Sequence, residues 1–290
     1  MIDKLLARGQ GEWLRAEGSE ADIVLSTRVR LARNISGFPF STKIQLSQAE
    51  DLLCHLRDEI IQLPGRSLFY QDLRELSSID RLTLVERHLI SRELEARDGA
   101  RGVVIQTDER VSLMLLEEDH LRMQVIRSGL EVQHAWEEMH RIEAELAERF
   151  EMAWDDQFGY LTACPTNVGT GLRVSAMLHL PALVISRQID RANSTAQKIH
   201  MAVRGLYGEG SRPASDLFQI SNQVTLGRSE EEICRELAEV VEKIVGWERG
   251  TRDQLLAERR TELEDQASRA LGMLERARTM TSEEALQHLS

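Results

Sequence analysis

Apolar residues along the chain recur with a period of two in some stretches and near 3.6 in others, and each switch marks a change of element. DIVLSTRVRLARN (22–34) mixes β-branched and apolar residues with arginines and predicts a strand or a strand running into a loop. RGVVIQ, VSLMLL and HLRMQVI are short β-like runs separated by polar turns such as TDER, a spacing that favours antiparallel hairpins over βαβ units. Helical spacing is found in the opening residues up to about Glu17, across 80–95, and along LEVQHAWEEMHRIEAELAERF (130–150). Ser47 followed by Glu50 reads as a capping box that opens a further helix over DLLCHLRDEIIQL. GYLTAC predicts a buried strand, and GLRVSAMLHLPALV a helix starting after the glycines. HMAVRGLY and LFQISNQVTL predict two more strands flanking the loop GEGSRPASD. From Ser229 the pattern is helical and highly charged, with capping-box pairs at Ser229/Glu232 and Thr281/Glu284. The expected fold class is α+β: an antiparallel sheet with helices on one side over 1–228, then a helical C-terminal region over 229–290.

Composition narrows the partners more than the fold. The chain has 290 residues, 42% of them hydrophobic, enough for a sizeable core in one large domain or two. Its 48 acidic residues against 36 Lys and Arg give a net charge of −12, which offers no general electrostatic help toward nucleic acid or an anionic membrane. The same field could gather cationic partners such as arginine-rich protein segments. Cys54, Cys164 and Cys234 are odd in number, widely spaced and without a CxxC pair, which argues against a disulfide framework or a structural zinc site. With no apolar leader at the N-terminus and no run of the ~18 apolar residues that a span needs, a cytoplasmic location is expected.

No Walker A, GxGxxG, HExxH or GxSxG motif occurs. The candidate chemistry lies instead in arginines on strand-like or turn segments: Arg28, Arg30, Arg122, Arg173 and Arg204. Guanidinium groups carry a permanent charge and a bidentate fork that suits phosphate oxygens, and several in one pocket would neutralise a triphosphate with its magnesium. Taken singly, each is as readily a surface charge. EEDH (117–120) reads either as one glutamate acting as general base with another as a metal or hydrogen-bond partner, or as a solvated hairpin edge. Cys164, held extended by the following Pro165, is either a small core hydrophobe or a thiolate stabilised by neighbouring arginines.

STRVRLARN, EEDHLRMQ, GYLTACPTNVGTGLR and VRGLYGEG, in this order over residues 22 to about 227, resemble the motif set of the phosphagen (guanidino) kinase superfamily. Within it the chain is most similar to the bacterial protein arginine kinases, through MLHLPALV, RGLYGEG and LFQISNQVTLG. The resemblance implies a glutamine-synthetase-like catalytic fold and transfer of the γ-phosphoryl group of ATP, bound with Mg2+, to arginine side chains of proteins. It also implies a Clp-type protease or a repressor downstream, an activator protein, and a homodimer. The alternatives are a kinase of a free guanidino compound and a non-catalytic adaptor.

The resemblance further implies site residues. Ser26, Thr27, Arg28, Val29 and Arg30 form one nucleotide-binding stretch; Arg173, Val174, Ser175, Ala176 and Met177 a second; Arg204, Gly205, Leu206, Tyr207, Gly208 and Glu209 a third. His88 and Arg122 are further nucleotide contacts, Glu118 the catalytic carboxylate, Glu209 its acidic partner, and Cys164 the active-site thiol. In this reading the glycines before Arg173 let the backbone approach the nucleotide. STRVR begins at Ser26, too early for the helical domain that precedes it in small-molecule relatives, so an open acceptor site is expected. No RDxxRA motif occurs before Ser290, so the phosphoarginine-binding regulatory site is not carried over.

Overall fold

The computed structural model describes residues 9, 11–205 and 215–290. Ten strands are found among them: β1 (Val24–Arg33), β2 (Leu68–Asp72), β3 (Gly102–Gln106), β4 (Val111–Leu115), β5 (Leu121–Ser128), β6 (Trp154–Asp155), β7 (Gly159–Tyr160), β8 (Leu172–His179), β9 (Met201–Gly205) and β10 (Leu217–Asn222). Eight of them form one sheet in the order β2-β3-β4-β5-β1-β8-β10-β9, with every neighbouring pair antiparallel, while β6 and β7 form a separate small hairpin.

The sheet separates apolar from charged residues by simple alternation. Val29 and Leu31 of β1, Met123 and Val125 of β5, Val174 and Ala176 of β8, and Ile220 of β10 are buried on one face. Against that face pack α4 (Val132–Ala147), carrying Ala135, Met139 and Ile142, and the first half of α7 (Glu230–Arg276), carrying Ile233, Leu237, Val241 and Ile244. Both later capping boxes close, Ser229 onto Glu232 and Thr281 onto Glu284, the latter opening α8 (Ser282–Leu289). Past Leu255 no residue of α7 is buried; Arg259 breaks the helical dihedrals (φ −135°, ψ 30°) and marks a kink. No helix among the described residues is long and apolar enough to cross a membrane. All three cysteines are unpaired, and burial pushes the Cys234 thiol up to about 12.

Several local expectations need correction. The helix expected after the glycines is the central strand β8: Leu172, Val174, Ala176 and Leu178 are buried at a spacing of two, and helix begins only at α5 (Pro181–Ile185). The helix expected over 80–95 divides into α2 (Ser78–Glu86) and α3 (Arg92–Ala96), separated by His88 in a left-handed conformation (φ +58°). These two helices and the turn between them pack Leu84, Leu89 and Leu94 against Val103, Ile105 and Met114 on the opposite face of β3 and β4, so helices cover both faces at that end. α1 (Leu46–Ile61) starts beyond Gln45 without a side-chain cap, two residues earlier than the capping box implied, so Ser47 lies inside the first turn and the Glu50 carboxylate pairs with Arg74. GYLTAC is strand only at Gly159–Tyr160, and of the expected opening helix the described part is a single 3-10 turn at Glu12–Leu14.

The glycine turn has a packing requirement of its own. A Cβ on Gly171 (φ +63°) would lie 2.6 Å from Arg33 Nη1 and 2.7 Å from the Ala32 carbonyl oxygen; one on Gly169 (φ +109°) would lie 2.5 Å from the Thr225 carbonyl oxygen. The glycines let the turn pack against β1 and the segment after β10. Gly171→Ala should therefore cost about 1–3 kcal/mol from the left-handed backbone, plus the clash, and thermal unfolding would measure it. A variant as stable as the parent would show that the turn relaxes freely.

Candidate active site

The face of the sheet opposite α4 and α7 carries the charges. In register, Arg30 lies across from Gln124 on one side and Arg173 on the other; Ala32 pairs with Arg122, Arg28 with Ser175, and Gln219 with Arg204. Alternation therefore puts all five predicted arginines, from the four strands β1, β5, β8 and β9, on one face, together with Ser175 and Met177. Ser26, Thr27, Val29, Val174 and Ala176 are buried in the strands that carry them, Val29, Val174 and Ala176 in the core beneath that face. Thr27 instead ties β1 to the start of α4, donating from its hydroxyl to the Gly129 carbonyl (2.8 Å) and accepting from the Glu131 N–H (3.1 Å). Gly205 ends β9; Leu206, Tyr207, Gly208 and Glu209 lie outside the described residues.

The arginines repel one another. Burial, then the charges of Arg122 and Arg173, push Arg28 down to about 10. Arg30 is held well below the ordinary guanidinium range by burial and by Arg28, Arg122 and Arg173, and its Nε is buried without a hydrogen-bond partner. Arg173 is lowered by burial and by Arg204 and Arg122. Arginine keeps its charge at neutral pH, so these depressions express first the cost of burying the charge and then unrelieved repulsion, and a polyanion would offset both. Arg122 behaves differently. Its burial works against the charge, yet it is raised because Nη1 donates to both carboxylate oxygens of Glu117, at 2.8 and 2.6 Å.

EEDH divides its labour by exposure. Glu117 is buried, pairs with Arg122, and also accepts from the Ser91 hydroxyl. Glu118 is exposed at the mouth of the turn between β4 and β5; burial, then the charges of Asp119 and Glu117, raise it above the usual carboxylate range. Asp119 is buried and accepts from Asn34 Nδ2 (2.6 Å) and the Ala163 N–H (2.7 Å) through one oxygen. His120 accepts the Ile35 N–H at Nδ1 (3.0 Å), which leaves Nε2 to donate to the Pro39 carbonyl (2.9 Å) and sets its tautomer. Asn34 also accepts the His120 N–H (2.9 Å) and donates to the Leu161 carbonyl (3.0 Å).

These bonds join the end of β1, the turn bearing Glu118 and the loop bearing Cys164. Cys164 is half-buried, with Sγ 3.0 Å from Thr166 Oγ1. Glu118, Cys164, Arg30, Arg122 and Arg173 line one cavity of about 120 Å³, with Asp119, Thr166 and Asn167 among its other walls. It is smaller than the ~300–1,000 Å³ of a typical ligand pocket, so a nucleotide would have to extend along the arginine face while a smaller group fills the cavity. Nothing in the amino-acid sequence singles out Asn34 or Asp119 beyond a place beside STRVRLAR and inside EEDH. His88 belongs to the same face, since its carbonyl accepts from Gln124 Nε2 (2.5 Å) and Gln124 is the register partner of Arg30.

An arginine face beside a carboxylate and a thiol fits phosphoryl transfer, and the comparisons with known proteins bear on which kind. The family model of the ATP:guanido phosphotransferase C-terminal catalytic domain matches residues 55–251. The chain is 44% identical over 293 residues to the protein-arginine kinase of Symbiobacterium thermophilum, covering 99% of this chain and 83% of that protein. To the protein-arginine kinase of Moorella thermoacetica it is 46% identical over 284 residues, covering 96% and 81%. Among solved structures, the duplicated taurocyamine kinase of Schistosoma mansoni with bound transition-state-analogue components superposes with a TM-score of 0.71 at 27% identity, covering 79% of this chain and 33% of that one. Lombricine kinase gives 0.71 at 25% identity, covering 88% and 72%. This chain belongs to the ATP:guanido phosphotransferase family.

Proposed function

We propose that this chain is a protein-arginine kinase that moves the γ-phosphoryl group of ATP, bound with Mg2+, onto a guanidinium nitrogen of an arginine side chain in a protein. The observation that carries the reading is the single cavity where Glu118 and Cys164 meet three arginines of a repelling cluster. The identity to protein-arginine kinases along nearly the whole chain selects the acceptor.

Arginine holds its proton with a pKa above ~12 and is a poor nucleophile until one proton leaves. Glu118 takes that proton as the nitrogen lone pair attacks the γ-phosphorus, the bond to the bridging oxygen breaks, and ADP leaves with the electron pair. Cys164 sits beside the same guanidinium and helps polarise it, and Glu209 supplies the second carboxylate. Arg28, Arg30, Arg122, Arg173 and Arg204 spread the phosphate charge along the face, and magnesium arrives on the phosphates as part of the substrate. Phosphorylated proteins would go to a Clp-type protease, or a repressor would be inactivated, with an activator protein and a homodimer as the working assembly.

The test offers MgATP with an unfolded arginine-rich protein in one tube and free arginine in another, and reads the acid-labile P–N bond by phosphorus NMR. Transfer to the protein alone is expected. Transfer to free arginine would move the assignment toward the small guanidino acceptors that the names of the solved neighbours specify. ATP binding without transfer to either acceptor would favour an adaptor.

A further inference from the structure

His88 faces the arginine side of the sheet from a left-handed backbone (φ +58°). Burial, then the charges of Arg28, Arg30 and Arg92, push its imidazole down to about 4, so the ring is uncharged at neutral pH. Among the described residues no hydrogen bond holds that ring. What touches it is Trp13, whose ring centroid lies 4.7 Å away at 77°, edge to face.

The segment bearing Trp13 is fastened to the same turn. Arg87, the residue before His88, donates from Nη2 to the Gly9 carbonyl (3.0 Å) and from Nη1 to both oxygens of the buried Glu109 (2.7 and 2.9 Å). Gly11 lies against Glu109 as well, since a Cβ there would be 3.4 Å from its Oε2. One arginine thus locks the N-terminal segment and the His88 turn together, and Trp13 covers the imidazole. We infer that Trp13 is a positioning residue of the nucleotide site, holding the His88 ring beside Arg28 and Arg30 in the orientation that meets ATP. This rests on the reading of His88 as a nucleotide contact.

ADP affinity by titration calorimetry, on the full chain, tests it in Trp13→Ala, Trp13→Leu, Trp13→Phe, His88→Ala and the Trp13→Ala/His88→Ala pair. An edge-to-face ring contact corresponds to about a 2- to 12-fold weakening of ADP binding in the Ala and Leu variants. Phe should recover most of it. The double variant should bind no more weakly than His88→Ala alone, and the KM for the protein acceptor should not move. The Leu variant keeps the segment packed should Ala unfold it. If His88→Ala binds ADP like the parent, the nucleotide reading of His88 fails. If His88→Ala weakens binding while Trp13→Leu does not, or the two losses add, Trp13 does not act through His88 and the inference is overturned.

Discussion

Glu118→Gln lowers phosphoryl transfer by about 10²- to 10⁴-fold, the usual contribution of a positioned general base, while ATP affinity stays within a few-fold. Glutamine keeps the shape and the hydrogen-bonding reach but cannot accept the guanidinium proton. Glu118 is exposed and outside the Asp119 carboxylate bonds that tie its turn to Asn34 and Ala163, so the fold should not register the change. The pH profile adds a second readout. Burial, then Asp119 and Glu117, raise the Glu118 pKa, so the carboxylate is lost at a higher pH than usual as the solution is acidified. The acid limb of kcat/KM in the parent should fall above the ~4.3 of an ordinary glutamate, and that limb should vanish in the variant. A near-normal rate with an unchanged acid limb would remove Glu118 from the base role.

Arg30→Met has two opposite effects. Transfer falls by about 10²- to 10³-fold, the loss typical of one missing preorganised charge donor. Ligand-free stability rises. The Arg30 pKa is depressed in the folded state, so the folded protein disfavours that charge, and an apolar isostere of the stem removes the repulsion from Arg28, Arg122 and Arg173. A gain of about 1 kcal/mol would lift the midpoint of thermal unfolding by roughly 2–4 °C. Arg122→Met should behave in reverse: it strands the buried Glu117 carboxylate, and losing one partner of such a pair costs about 3 kcal/mol. Scanning calorimetry of the two variants decides the matter. If both destabilise equally, the arginine face is not a repelling cluster, and its need for a polyanion loses its physical basis.

How much of this was legible in the chain depended on the range of the signal. Hairpins β3, β4 and β5, helix α4 and the capping boxes at Ser229 and Thr281 follow from patterns a few residues long, where alternation, helical spacing and cap chemistry act locally. In β8 the apolar content alone suits a helix as well as a strand, and only the spacing of two at Leu172, Val174, Ala176 and Leu178 separates them. The division between α2 and α3 has no glycine to announce it: His88 takes the left-handed position that ends α2, and the Leu89 N–H closes onto the Leu84 carbonyl.

The amino-acid sequence by itself determined which side chains are available: the five arginines, the EEDH turn, and a cysteine set against a proline. It also determined the family, because four motifs in fixed order are specific without any geometry. Only the tertiary structure decided which of them meet. Five arginines on four strands share a face because antiparallel register aligns strands far apart in the chain, and no local pattern encodes register. Glu117 and Glu118 are adjacent and chemically identical, yet one is a buried partner of Arg122 and the other an exposed carboxylate with a raised pKa. Burial and neighbouring charge set those roles, and both are properties of the folded chain.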